Sequence, residues 1–336
     1  MAKSILLLIV LFAFLGCGGS TGKIRENIAE NAAENIIGDS SGDTIEKKVT
    51  VHTKYAPFYP IRSENVTVQS SFIYSFLVTD GDTCLPRWDW AKERDWRNFS
   101  DKIQSDGILS FGGVGAEAKS LAYVCDEEAL LTVLKDLIDT YRIRWLDFDI
   151  EADMLYENDA NLKRFKVLKR LLHERPDVNI SLTLPAMPEG LTEDVRRLIQ
   201  KAKAIQLPIA SYNLMLMDFG YDYPAEDENQ TLMYHYSKSA LIHANEDLKT
   251  LFHTDKDFFK QLGAIVMIGK NDVTNEIVYP KDFVLLKNFV VNRQMALLSF
   301  WSIIRDRPGR DLQTSTGMSP REYGNTPYQY FHLGKL

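Results

Sequence analysis

From position 49 to the C-terminus, short apolar runs rich in β-branched and aromatic residues alternate with longer stretches in which apolar residues recur every three or four positions. The runs at 51–58, 71–79, 107–111, 144–150, 179–184, 204–217, 263–268 and 295–301 predict strands. Between them, 127–141 places Leu130, Leu131, Leu134 and Ile138 at helical spacing, and 161–172, 192–202, 236–252 and 281–292 carry similar patterns. Eight strands alternating with helices predict an α/β fold, a (β/α)8 TIM barrel in a single domain over 49–336. An open doubly wound sheet is the rival arrangement of the same pattern.

The chain of 336 residues opens differently. Lys3 precedes an apolar run over 5–15, and small residues follow, so residues 1–20 are expected to be a secretory signal. Leu15-Gly16-Cys17 is similar to a lipobox, in which Cys17 is lipidated, although Phe14 departs from that pattern; a plain signal peptide is the other reading. Residues 21–48 are polar, lack aromatics and are expected to be a flexible tether. Export permits a disulfide between Cys84 and Cys125; the alternative is two buried thiols.

Net charge is −7, with Lys and Arg dispersed, which argues against a nucleic-acid partner. The six histidines are scattered and no zinc-type spacing of Cys and His occurs, which argues against a metal site; no organic cofactor is expected either. The chain is expected to be a monomer, secreted or lipid-anchored to the outer face of a bacterial membrane. Gly112-Gly113-Val114-Gly115 is an incomplete phosphate-loop pattern, better explained by close packing at a strand end.

Chemistry concentrates in the fourth run. Asp147, Asp149 and Glu151 sit at i, i+2 and i+4, so on a strand they share one face, while Leu146, Phe148 and Ile150 take the other. Three acids on the inner face of a barrel are costly unless used. Crowding holds a proton on one of them, and Glu151, nearest the strand's C-terminal end, faces the mouth where barrel active sites assemble. It could protonate a leaving oxygen and then activate water.

Asp147-Phe148-Asp149-Ile150-Glu151 resembles the DxDxE core of the glycoside hydrolase family 18 chitinases. Ser110-Phe111-Gly112-Gly113 resembles the family's SxGG motif, and Met215-Leu216-Met217-Asp218-Phe219-Gly220 the MTMDYG segment of a bacterial and archaeal branch. Phe300-Trp301-Ser302 with Arg305-Asp306 is similar to the last-strand segment of that family; 76–88, 182–185 and 267–272 resemble the same branch. The resemblance implies cleavage of chitin or related N-acetylglucosamine oligosaccharides, with the substrate's acetamide carbonyl as nucleophile. Under it Glu151 is the acid, Asp149 holds the acetamide N–H, and Asp147 tunes Asp149 through a shared proton or hydrogen bond. Trp301 forms the floor under the sugar, Met215 and Met217 line the wall, and Gly113 contacts substrate. Asp218 helps set the acid's pKa. Trp88, Trp90 and Trp96 cluster after the second strand, either stacking sugars in outer subsites or forming core beneath a long loop; Trp88, which aligns with the branch's tryptophan, is the candidate for a subsite.

Three departures matter. Arg144 stands where the wider signature begins with Asp, Met217 where many members carry Tyr, and Phe219 where the branch has Tyr. Tyr221 or Tyr223 could supply the missing hydroxyl. The expected activity is a chitinase; an endo-β-N-acetylglucosaminidase acting on glycans and a catalytically weakened chitin-binding barrel are the alternatives.

Overall fold

The structure, a computed structural model, describes residues 53–336 apart from 63–65, 94, 224–228, 274 and 325. The signal segment, Cys17 and the tether lie outside the described residues.

Parallel strands form a closed ring. The first is split into β1 (Lys54–Tyr55) and β2 (Phe58–Pro60); then come β3 (Ile73–Val78), β4 (Ile108–Gly112), β5 (Trp145–Asp149), β6 (Asn179–Met187), β7 (Ser211–Met215), β8 (Leu262–Met267) and β9 (Leu297–Trp301). Each of β3 to β9 pairs in parallel with the next in sequence. β2 pairs with β3 and β1 with β9, so two short halves of one extended segment close the barrel. This selects the barrel over the open sheet.

Five long helices cover the ring: α1 (Glu127–Tyr141), α2 (Asn158–Glu174), α3 (Glu193–Ala204), α4 (Leu232–Phe252) and α5 (Pro280–Asn292). Their starts are encoded locally. Asp126 accepts from the Ala129 N–H at the head of α1, Thr192 from Val195 at the head of α3, and Pro280 opens α5. Among the described residues no long helix follows β3. Its return to β4 runs through an antiparallel pair, Arg87–Trp88 on Val78 and Leu77, and a 3₁₀ turn, Trp96–Phe99.

The run at 204–217 is a strand only over Ser211–Met215. α3 continues to Ala204, Gln206 then takes positive φ, and Pro208 follows, so the approach to β7 is a turn. The expected disulfide is present: Cys84 and Cys125 are bridged with Cα atoms 5.0 Å apart, tying the loop after β3 to the head of α1.

Candidate active site

Register sets which side chains meet inside the ring. Ser110 lies beside Asp147 and Gly112 beside Asp149; on the other flank Asp147 pairs with Ser181 and Asp149 with Thr183, which in turn faces Asn213. Alternation points all of these inward, while Leu146, Phe148, Leu182 and Leu214 are buried under the helices. The predicted alternation of the acid strand is therefore the observed one.

Asp147 is fully buried and well served. Ser110 donates to Oδ2 at 2.8 Å, Ser181 to Oδ1 at 2.6 Å, Asn213 Nδ2 to Oδ1 at 3.1 Å, and Thr183 lies 3.0 Å from both oxygens. Trp145, at the bottom of the same face, donates its indole N–H to Ser181 at 3.0 Å. Burial raises the Asp147 pKa and these donors oppose the rise. The charge of Asp147 acts on Asp149 from two residues away along the strand. Asp149 is 4% exposed, and its Oδ1 is buried without a hydrogen-bond partner. Burial first, then the charges of Glu151 and Asp147, lift its pKa well above the usual carboxylate range.

Glu151 lies two residues past the end of β5, half-buried, and caps a 3₁₀ turn, Ala152–Leu155. Burial, then the neighbouring charges of Asp218 and Glu117, push its pKa up to about 7. A carboxyl titrating there is suited to give and take one proton at neutral pH. Asp218, in a positive-φ turn after β7, is itself raised to about 6 by burial; its Oδ1 accepts the Val273 N–H at 2.8 Å.

Gly112 and Gly113 are required where the chain leaves β4. Both have positive φ, a Cβ on Gly112 would fall 2.1 Å from the Asp149 carbonyl oxygen, and one on Gly113 would fall 2.5 Å from the Phe76 ring. Phe76 in turn lies parallel to Trp301, with centroids 5.6 Å apart and planes 12° apart. Phe58 meets the same indole edge-on, and Trp90 tilts against it at 5.6 Å. Trp301 is half-buried at the C-terminal end of β9, so one aromatic plate, backed by three others, lies at the mouth. Met215 and Met217 are half-buried at the end of β7.

Two expectations need correction. Trp88 has no exposed surface: it sits across from Leu77, which faces the helix layer, and donates to the Tyr141 hydroxyl at 3.3 Å. It is core, and Trp90, two residues on and past the turn, takes the place beside Trp301. Of the two tyrosines after β7 offered for the missing phenol, Tyr223 is turned to another partner. Tyr223 donates to Glu189 at 2.8 Å, and Tyr221 is 76% exposed.

Sequence reading missed Glu276, which has no exposed surface. It accepts the Gly220 N–H at 2.8 Å and so fastens the turn that carries Asp218 to the segment after β8. Burial raises its pKa to about 8. No periodic signal marks this residue; it lies in a loop, and only the fold brings it under Asp218.

Comparison with known proteins gives the following. No family model matches the chain. It is 32% identical over 275 residues to a probable bifunctional chitinase/lysozyme of Escherichia coli K12, covering 77% of this chain and 30% of that protein. It is 32% identical over 212 residues to endochitinase 11 of Metarhizium anisopliae, covering 60% of this chain and 40% of that protein. The chain thus spans well under half the length of these curated relatives. The catalytic domain of a hyperthermophilic chitinase from Pyrococcus furiosus superposes with a TM-score of 0.69 at 22% identity, covering 84% of this chain and 93% of the other. At that identity the likeness is one of fold.

Proposed function

We propose that this chain, which has the barrel and the strand-end motifs of the glycoside hydrolase family 18 chitinases, is a retaining hydrolase of β-1,4-linked N-acetylglucosamine chains. The observation that carries the reading is the pairing of Glu151, a carboxyl held protonated near neutrality, with Asp149, whose buried Oδ1 has no donor. A buried acceptor without a partner needs an explanation, and an acetamide N–H supplies the missing donor.

The reaction then runs in two stages. Glu151 gives its proton to the glycosidic oxygen as the bond from C1 to that oxygen breaks. The acetamide carbonyl oxygen of the same sugar forms the new bond to C1 from the opposite face. Asp149 accepts the acetamide N–H and offsets the positive charge of the resulting oxazolinium. In the second stage Glu151, now a carboxylate, takes a proton from water as the water oxygen attacks C1 and the oxazolinium ring opens. Configuration at C1 is retained. Trp301 supports the apolar face of the distorted sugar, and Asp218 raises the affinity of Glu151 for its proton.

The rim favours an extended substrate. Leu85, Val114, Tyr123, Tyr156 and Tyr221 are exposed, and all lie in segments following the C-terminal ends of strands. Such a distribution suits stacking along a sugar chain. The absence of a phenol at Met217 and Phe219 lowers the expected rate, on the order of 10²-fold for one lost orienting hydrogen bond. We further propose that residues 1–20 direct export with Cys17 as a lipid site; the Cys84–Cys125 bridge suits an oxidising compartment.

A fluorogenic chitotriose tests the activity. Release by the wild type and its loss in Glu151→Gln support the proposal. Release from peptidoglycan or N-glycans in place of chito-oligosaccharides moves the specificity, and tight binding without turnover makes the chain a binding protein instead.

A further inference from the structure

Arg164 lies outside the catalytic site and has no role in it. It projects from α2 and is 5% exposed. One Nη donates to Ser120 Oγ at 2.9 Å and the other to Asn161 Oδ1, and Asn161 spends its own Nδ2 on the Met154 carbonyl at 2.8 Å. Both acceptors of the guanidinium are neutral. Among the described residues no carboxylate forms an ion pair with it, and burial alone acts on its charge, drawing its pKa down to about 10. Removing a cation from water and giving it only neutral partners is strongly unfavourable, and such charges are ordinarily paired.

Beside this guanidinium is a small cavity, bounded by Phe111, Gly112, Ser120, Leu134, Phe148 and Arg164 among others. It leaves about 10 Å³, room for one particle of about the size of a water. Phe111 and Phe148 stack on each other at 5.0 Å. Phe148 alternates with Asp147 and Asp149, so the cavity lies between the strands and the helix layer, not at the mouth.

We propose that this cavity binds one small monovalent anion of the halide class, with chloride as its natural occupant. The guanidinium carries five N–H groups, of which two are engaged by the neutral oxygens. The Ser120 hydroxyl, which accepts from Arg164, keeps its own hydrogen to donate. A water molecule would fit the space and leave the charge uncompensated. A halide, only slightly larger than water, would compensate it. The ion would fasten α2 and the segment at Ser120 to the end of β4, where Gly112 approaches Asp149.

Thermal unfolding of the full chain at matched ionic strength tests this, with sodium gluconate as the reference and chloride, bromide or sulfate added. The expected result is a saturable rise in Tm of a few degrees with chloride and bromide, none with sulfate, and loss of the response in Arg164→Met. Crystals of the wild type grown in bromide provide a second measurement that needs no variant. An anomalous peak within hydrogen-bonding reach of an Arg164 Nη is expected. Identical Tm values in all salts with no bromide peak would overturn the proposal, as would a halide response that survives unchanged in Arg164→Met.

Discussion

Asp147 occupies the centre of the barrel because three strands supply donors at its height: Ser110 from β4, Ser181 and Thr183 from β6, and Asn213 from β7. Removing the carboxylate leaves these donors facing one another in a dry interior. Asp147→Ala is therefore expected to cost about 1–3 kcal/mol, read by denaturant unfolding. Asp147→Asn should cost less, since the three hydroxyls can rotate to accept from the new amide. At this scale the acids were legible, because period-two alternation with apolar neighbours admits few explanations other than a strand with a functional inner face. The tryptophans were not. Trp88 and Trp90 have the same parity, but a turn intervenes, and no alternation rule carries across it. The corrected assignment makes a contrast. Trp90→Ala should raise KM for a chito-oligosaccharide roughly tenfold while the fold is kept. Trp88→Ala should cost about 3–5 kcal/mol of stability with KM little changed.

Among the elements, the end of β4 and the two loops around Asp218 decide the shape of the site. Gly113→Ala would put a methyl group into the Phe76 ring at a positive-φ position. Phe76 must then shift, and Trp301, stacked on it, must follow. The expected outcome is a fall in kcat with a loss of about 1–3 kcal/mol in stability. A second test concerns the loops. Glu276 has a folded pKa raised to about 8, so it is protonated in the folded protein at neutral pH and ionised in the unfolded chain. Its contribution to stability is fully present below its unfolded pKa and is lost as pH rises through the folded one. Glu276→Gln keeps an oxygen for the Gly220 N–H without the titration. Its Tm should stay nearer constant between about pH 5 and about pH 8 than the wild type's. Helix α1 spans the predicted 127–141, since its cap and its apolar stripe agree. The start of β7 was placed too early because the turn leading into it carries Leu207 and Ile209, buried apolar residues that extend the pattern of the strand.

For the whole molecule, six carboxyls among the described residues are raised: Asp147 and Asp149, Glu151 to about 7, Asp218 and Asp306 to about 6, and Glu276 to about 8. Each favours the folded state while protonated, so stability should decline as pH rises from about 5 to about 8. The barrel itself was legible from the count and order of runs. Its closure was not, since it depends on β1 and β2 pairing with opposite neighbours across a break of two residues. The central claim is that Glu151 donates the proton that breaks the glycosidic bond. The pH dependence of kcat on a fluorogenic chito-oligosaccharide, measured from about pH 4 to about pH 9, tests it most directly. The account predicts a rate falling on the alkaline side with a midpoint near 7, and a Glu151→Gln enzyme slower by roughly 10²–10⁴-fold below that midpoint. A glutamine variant that turns over at the wild-type rate, or a wild-type rate that climbs through pH 7, would contradict it.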